Sequence, residues 1–323
     1  MRKEVAILSF VVVCILSGCR VGMEYTNPLR SSTPDPSFVR LHSGVSFLSS
    51  AQSILQSYNG VEWGEADFIL DSIAKHDGRE CMMWCSSLKE IGGRMVCHYG
   101  LMPWERSDSS VISVAYADSE AKGFVDLGYI MDGDGVTPLC GNDPFVFVDE
   151  DSSKWLVFTS GRDGVKGIRL SEDGLSVPPG EEKFALAPPG FYAGGIFRKD
   201  DYYYLFVSFG TCCEEEDSKG YLAVARSNNV RGPYVDRNGD SISHYYCEHF
   251  IQSDNRFVGL VHCTDVFTDD NGEQWIYYNA WDKTHTENMR CLMLDKVNWT
   301  EDGWPEINDG YPSSQEQYGP YFK

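Results

Sequence analysis

The chain has 323 residues, 48 acidic against 27 basic, with a formal charge of −21. That balance excludes nucleic acid as a partner, because a polyanion is repelled and no Lys/Arg cluster offsets the field. Aromatic residues make up 13% of the chain; their flat rings suit both packing in sheets and stacking against sugar faces.

At the N-terminus Arg2 and Lys3 precede an apolar run from Val5 to Leu16, followed by Ser17, Gly18 and Cys19. This pattern predicts a signal peptide over residues 1–18. The run is too short for a permanent membrane span. Leu16-Ser17-Gly18-Cys19 resembles the bacterial lipobox, which implies cleavage before Cys19, lipid on its sulfur and a place at the cell envelope. An ordinary secretory signal is the competing reading, and either one exports the protein. No later segment is long and apolar enough for a transmembrane helix, so residues 19–323 are expected to form one domain.

Five segments then read as apolar strand, turn, aromatic strand: Asp35 to Ser50, Ser86 to Gly100, Asp143 to Ser160, Gly194 to Ser208 and Asp265 to Ala280. Their starts lie 51, 57, 51 and 71 residues apart, a blade-sized period. More strand-like sequence follows, at Val111 to Ala117, Gly167 to Leu170, Leu222 to Arg226 and Arg290 to Val297. The turns at Asp149 to Ser152, Asp200-Asp201 and Asp269 to Gly272 carry the residues that tolerate tight-turn backbone angles. Four strands per repeat predict an all-β, five-bladed β-propeller. A pair of β-sandwiches fits five repeats of this length poorly.

Besides Cys14 and Cys19 the cysteines are Cys81, Cys85, Cys97, Cys140, Cys212, Cys213, Cys247, Cys263 and Cys291. Their number is odd and their spacings make no compact disulfide scaffold. Neither Cys81 with Cys85 nor Cys212 with Cys213 has a second pair at ligand spacing, so no zinc site is expected.

In a propeller the starts of the innermost strands gather at one end of the central channel. Asp35 and Asp143 hold equivalent places in repeats one and three, each followed by proline. Two carboxylates brought together this way can divide labour, one activating water and the other tuning its neighbours. The plainer reading is that Asp-Pro merely begins a strand; the shared repeat position favours chemistry.

Around these residues lie Pro34-Asp35-Pro36-Ser37, Asn142-Asp143-Pro144 with Val148 to Phe158, Asp201 to Cys213, Ala225 to Gly239, Val266 to Asp282 and Asp302 to Ser314. Together they resemble glycoside hydrolase family 43, nearest its endo-arabinanase and arabinofuranosidase branches. The resemblance implies a five-bladed propeller that hydrolyses arabinose- or xylose-containing plant polysaccharide with inversion, a base activating water while an acid protonates the departing oxygen. It makes Asp35 the general base and Asp143 the carboxylate that raises the acid's pKa. The family's Glu-Ala-Pro segment falls on Tyr192-Ala193-Gly194, so tyrosine stands at the acid's position. Two other segments depart: Trp84-Cys85-Ser86 replaces Trp-Ala-Pro, and Gly259-Leu260-Val261-His262 replaces Gly-Pro-Gly-His.

A phenol of ordinary pKa near about 10 is a poor donor beside a carboxylic acid tuned to about 6 to 7. Three readings stand. The acid comes from elsewhere, with Glu214, Glu215 and Glu216 nearest in sequence; Tyr192 itself donates; or catalysis is lost and a glycan-binding lipoprotein remains. The resemblance also implies that Trp84 offers a stacking platform to a sugar, with blade packing as the alternative. It implies too that His262 helps hold calcium in the central channel, although imidazole is not a preferred ligand for that ion.

Overall fold

Short runs of Val, Ile, Phe and Tyr, broken every few residues by Asp, Asn and Gly, favour strands joined by tight turns. The computed structural model bears this out, with strands and short 3-10 turns as the regular elements of the described residues. Those are residues 21–70, 75–76, 79–103, 110–118, 120–262 and 265–323. The signal segment, Cys19 and Cys263 lie outside them.

The strands form five antiparallel blades around a channel. Blade one is Pro36–Arg40, Ser46–Ser50, Ser53–Ser57 and Gly64–Phe68. Blade two is Arg79–Ile91, Arg94–Pro103, Val111–Ala117 and Val125–Tyr129, with Lys75–His76 beside its inner strand. Blade three is Asn142–Val148, Lys154–Thr159, Val165–Arg169 and Phe184–Ala187. Blade four is Phe191–Lys199, Tyr202–Phe209, Tyr221–Ser227 and Glu248–Ile251. In blade five the inner strand comes in two pieces, Phe257–Val261 and Val266–Thr268, both paired to Gln274–Asp282, with Cys291–Trp299 and Pro305–Glu306 outside. His262 therefore interrupts the inner strand of blade five rather than preceding it. The predicted architecture holds, and the predicted start of that blade moves back from Asp265 to Phe257.

Apolar side chains pack between the blades. Separate clusters join blades one and two (Phe47 with Leu88), two and three (Ile112 with Val146), three and four (Phe145 with Leu205), four and five (Phe206 with Ile276), and five and one (Tyr277 with Phe38). The ring closes through the N-terminal segment. Glu24–Tyr25 pairs with Gln317–Tyr318, Arg30 bridges Leu292, and the Tyr25 hydroxyl donates to the Leu294 carbonyl at 2.8 Å. At the far end of the channel, a half-buried Lys89–Asp265 ion pair fastens blade two to blade five.

One backbone feature recurs at the other end. Each inner strand carries a single non-glycine residue in the left-handed region: Asp35 (φ 52°), Cys85 (38°), Asp143 (50°), Ala193 (47°) and His262 (56°). The ladder register shifts around the positions in blades two, three and four. Such bulges re-aim a side chain, and strained angles of this kind persist only where the surroundings hold them. For three of the five, the holders are polar side chains on the second strand of the preceding blade. Asn279 Oδ1 accepts from the Asp35 N–H at 2.5 Å, Thr159 Oγ1 from Ala193 at 2.9 Å and Ser208 Oγ from His262 at 2.9 Å.

Asn279 is the fastener between the last blade and the first, since its Nδ2 also donates to the carbonyls of Thr33 and Cys291, both at 2.9 Å. Asn279→Ala would strand three buried backbone groups, at about 1 kcal/mol or more each. The expected result is a fall in denaturation midpoint worth at least about 3 kcal/mol, together with reduced activity because Asp35 loses its anchor.

Candidate active site

Four of the five left-handed residues, Asp35, Cys85, Asp143 and His262, line a cleft of about 640 Å³ at the channel mouth. Its wall includes Asp35, Trp84, Cys85, Asn142, Asp143, Thr159, Tyr192, His262 and Arg290, with the loop from Gly210 to Glu214 on one side. Every site residue expected within the described chain thus meets in one place: Asp35, Asp143, Tyr192, Trp84 and His262. Cys19 lies outside the described residues.

Asp35 is buried and surrounded by donors. Arg290 grips it with both arms, Nη1 to Oδ1 at 2.7 Å and Nη2 to Oδ2 at 3.2 Å. The Cys85 thiol donates to Oδ2 at 3.4 Å, and His262 Nδ1 lies 3.4 Å from Oδ1. Burial alone would raise its pKa, but the Arg290 and His262 charges and the hydrogen bonds from Arg290 and Cys85 outweigh it and hold the carboxyl below its ordinary value. Asp35 is therefore ionised throughout the neutral range.

Asp143 sits across Cys85 from Asp35. Its Oδ2 accepts from Thr159 Oγ1 at 2.7 Å, so the same hydroxyl that holds Ala193 also orients this carboxylate. Cys85 interacts with both aspartates; burial first, then the charges of Asp143 and Asp35, push its thiol well above the usual range. It remains a protonated bridge between the two. Gly100 leaves room beside the site, because a Cβ there would come 2.2 Å from Asn142 Oδ1.

Tyr192 precedes the left-handed Ala193 as Trp84 precedes Cys85, so the two rings occupy matching places in blades four and two. Burial, then the negative charge of Asp143, raises the Tyr192 phenol above its ordinary pKa. Three buried polar atoms of the cleft residues have no hydrogen-bond partner: Trp84 Nε1, Asn142 Oδ1 and Tyr192 Oη. Buried polar groups are rarely left unpaired, and three of them lie on residues that border this one cleft.

Of the acidic run, Glu214 lines the cleft, where its Oε2 accepts from Thr211 Oγ1 at 3.1 Å. Glu215 and Glu216 belong to an exposed 3-10 turn outside that lining. Beneath the floor, His262 borders a channel cavity of about 10 Å³ with Ser37, Ser86, Ser87 and Asp143. That is room for about one water, whereas calcium takes six to eight oxygens. The Ser37 and Ser87 hydroxyls are engaged by the Leu88 and Val146 amides of the next blades. The residues around His262 do not fit calcium; the imidazole instead faces Asp35.

Arg290, Thr159 and Asn279 were missed from sequence. Arg290 offered no local signal, since its partner is 255 residues away. Thr159, Ser208 and Asn279 were detectable as the polar residue near the end of the aromatic strand in repeats three, four and five.

The model of glycosyl hydrolases family 43 matches residues 25–305. The extracellular exo-α-(1→5)-L-arabinofuranosidase of Cellvibrio japonicus is 30% identical over 181 residues, 52% of this chain and 51% of that protein, so the chain spans about half its length. The arabinan endo-1,5-α-L-arabinosidase B of Emericella nidulans is 28% identical over 84% of this chain and 82% of its own. Among solved structures, the α-L-arabinanase of Cellvibrio cellulosa in complex with arabinohexaose superposes with a TM-score of 0.75 at 23% identity, covering 88% of this chain and 99% of that one. At that identity the likeness speaks for the fold.

Proposed function

We propose, on the premise that the chain belongs to glycosyl hydrolases family 43, that it hydrolyses O-glycosidic bonds of arabinan or a related arabinose-containing plant polysaccharide, with inversion. The observation that carries this is the convergence of Asp35 and Asp143 on either side of Cys85 in the floor of one cleft. Asp35, ionised and fixed by Arg290, takes a proton from the water that attacks the anomeric carbon. Asp143 acts by its charge. A carboxylate beside a proton-bearing group raises that group's pKa, which is the effect Asp143 has on position 192.

With glutamate at 192 that effect would tune an acid into the useful range. With tyrosine it moves the phenol further from it. Tyr192 is therefore not the proton donor in this reading, and Glu214 is the carboxyl best placed to replace it. A second reading, a glycan-binding protein without turnover, is favoured by the same tyrosine. In both, the cleft-lining residues Trp84, Asn142 and Tyr192 contact the sugar. Anchoring through Cys19 would hold the protein at the cell envelope, where fatty-acid labelling lost in Cys19→Ala is the expected sign.

The separating experiment compares arabinan with an aryl α-L-arabinofuranoside, whose leaving group departs with little protonation. Glu214→Gln is expected to slow arabinan hydrolysis by about 10²-fold and leave aryl turnover nearly unchanged. Absence of turnover on both substrates, with polysaccharide still bound, would leave the binding reading alone standing.

A further inference from the structure

The loop that walls one side of the cleft carries a feature the hydrolytic reading does not use. Cys212 and Cys213 are joined to each other by a disulfide, and both line the cleft with Trp84, Tyr192 and Glu214. We propose that this vicinal disulfide is a substrate-binding element, a rigid apolar ledge on which the C–H face of a sugar ring packs. The inference rests on the glycan reading of the cleft and adds to it a specific contact that depends on oxidation state.

Stability does not account for the bond. A disulfide stabilises by closing a loop of the unfolded chain, and the effect grows with the residues enclosed; here the sequence separation is one. Cys213 is exposed, so the bond buries no core either. What it does is local. Linking neighbours closes a small ring through their shared peptide and removes the side-chain rotations both cysteines would otherwise have. A surface locked before binding loses little entropy when a ligand settles on it, and divalent sulfur is polarisable and weakly hydrated.

The rest of the loop holds that ledge in place. Trp281 of blade five donates its Nε1–H to the Cys212 carbonyl at 2.7 Å. The Lys219 N–H donates to Thr211 Oγ1 at 3.0 Å and the Glu214 N–H to Ser218 Oγ at 3.0 Å, tying the two ends of the loop together. At the hinge, Gly210 has φ 93°, and a Cβ there would lie 2.6 Å from the Lys219 carbonyl. The disulfide is thus presented to the cleft by a loop fixed at both ends. Cys85, Cys97, Cys140, Cys247 and Cys291 are thiols, and a variant lacking Cys212 and Cys213 isolates what reduction does at this bond.

The test is calorimetric binding of α-1,5-linked arabinohexaose to the protein purified without reductant, before and after dithiothreitol. The reagent supplies two electrons and two protons to the disulfide and leaves as its own cyclic disulfide. The expected result is a Kd about tenfold weaker on reduction, restored by reoxidation, with the thermal midpoint nearly unchanged. The double variant Cys212→Ser/Cys213→Ser should match the reduced protein and ignore dithiothreitol. Equal affinity in the oxidised, reduced and variant proteins would overturn the ledge and leave the glycan reading intact. So would alkylation and mass analysis showing both sulfurs free in the untreated protein. Failure of the oxidised protein to bind the oligosaccharide would remove both readings together.

Discussion

In a Glu214→Gln background, the further substitution Tyr192→Glu is expected to raise arabinan hydrolysis by about 10²- to 10⁴-fold, the usual yield of a general acid, while aryl arabinofuranoside turnover changes far less. The phenol's surroundings already contain what a catalytic carboxyl needs. Position 192 is partly buried in the cleft wall, its hydroxyl has no partner, and the Asp143 charge acts on it directly. Burial and a like charge both raise a carboxyl's pKa, which would bring the introduced glutamate up from about 4.3 toward the range where it is protonated at neutral pH and still acidic. The gain should appear as kcat, with a new alkaline limb in the pH profile that moves down in an Asp143→Asn background. Reducing-sugar release from arabinan is the direct measurement. No gain in a variant that still binds arabinohexaose would mean that a carboxyl at position 192 does not reach the departing oxygen, and would overturn the placement of the acid there.

Asp35 and Asp143 were readable from sequence because the repeats put them in register, and the structure supplies the reason. Each inner strand has one left-handed residue at the channel mouth, and aspartate tolerates that conformation better than most side chains. Tyr192 was readable for the same reason, one position before Ala193. The register failed in blade five, where the interval of 71 residues hid an inner strand broken at His262. The fourth strand of each blade was expected but not placed; these strands are two to five residues long, too short for an alternating pattern to declare itself. Arg290 looked like the residue opening a strand, and only folding shows the carboxylate it neutralises. The calcium expected at His262 depended on how much space lies beneath the cleft, a quantity no residue pattern contains. The spacing of Cys212 and Cys213 argued against zinc but was silent on whether adjacent sulfurs bond to each other.

Asp35→Asn is expected to produce two separable losses. The first is turnover of the aryl substrate, down by about 10²- to 10⁴-fold, because the amide cannot accept the proton of the attacking water. The second is stability. Arg290 is itself buried, with 8% of its side chain exposed against 5% for Asp35, and removing one partner of a buried pair leaves the other charge uncompensated, at about 3 kcal/mol or more. The two losses part company in Asp35→Asn/Arg290→Met, where an apolar side chain replaces the stranded cation. Urea denaturation should show most of the stability recovered, and activity should stay absent. Acidity gives an independent check on sign. The Asp35 carboxyl titrates lower in the folded protein than in the unfolded chain, where its value is near about 3.9. Its contribution is therefore fully present above that pH and is lost as pH falls through the folded value. The stability gap between wild type and Asp35→Asn should hold steady through the neutral range and narrow only below about pH 4. A gap that instead closed near neutrality would show that Asp35 is protonated there, and a protonated carboxyl could not serve as the base.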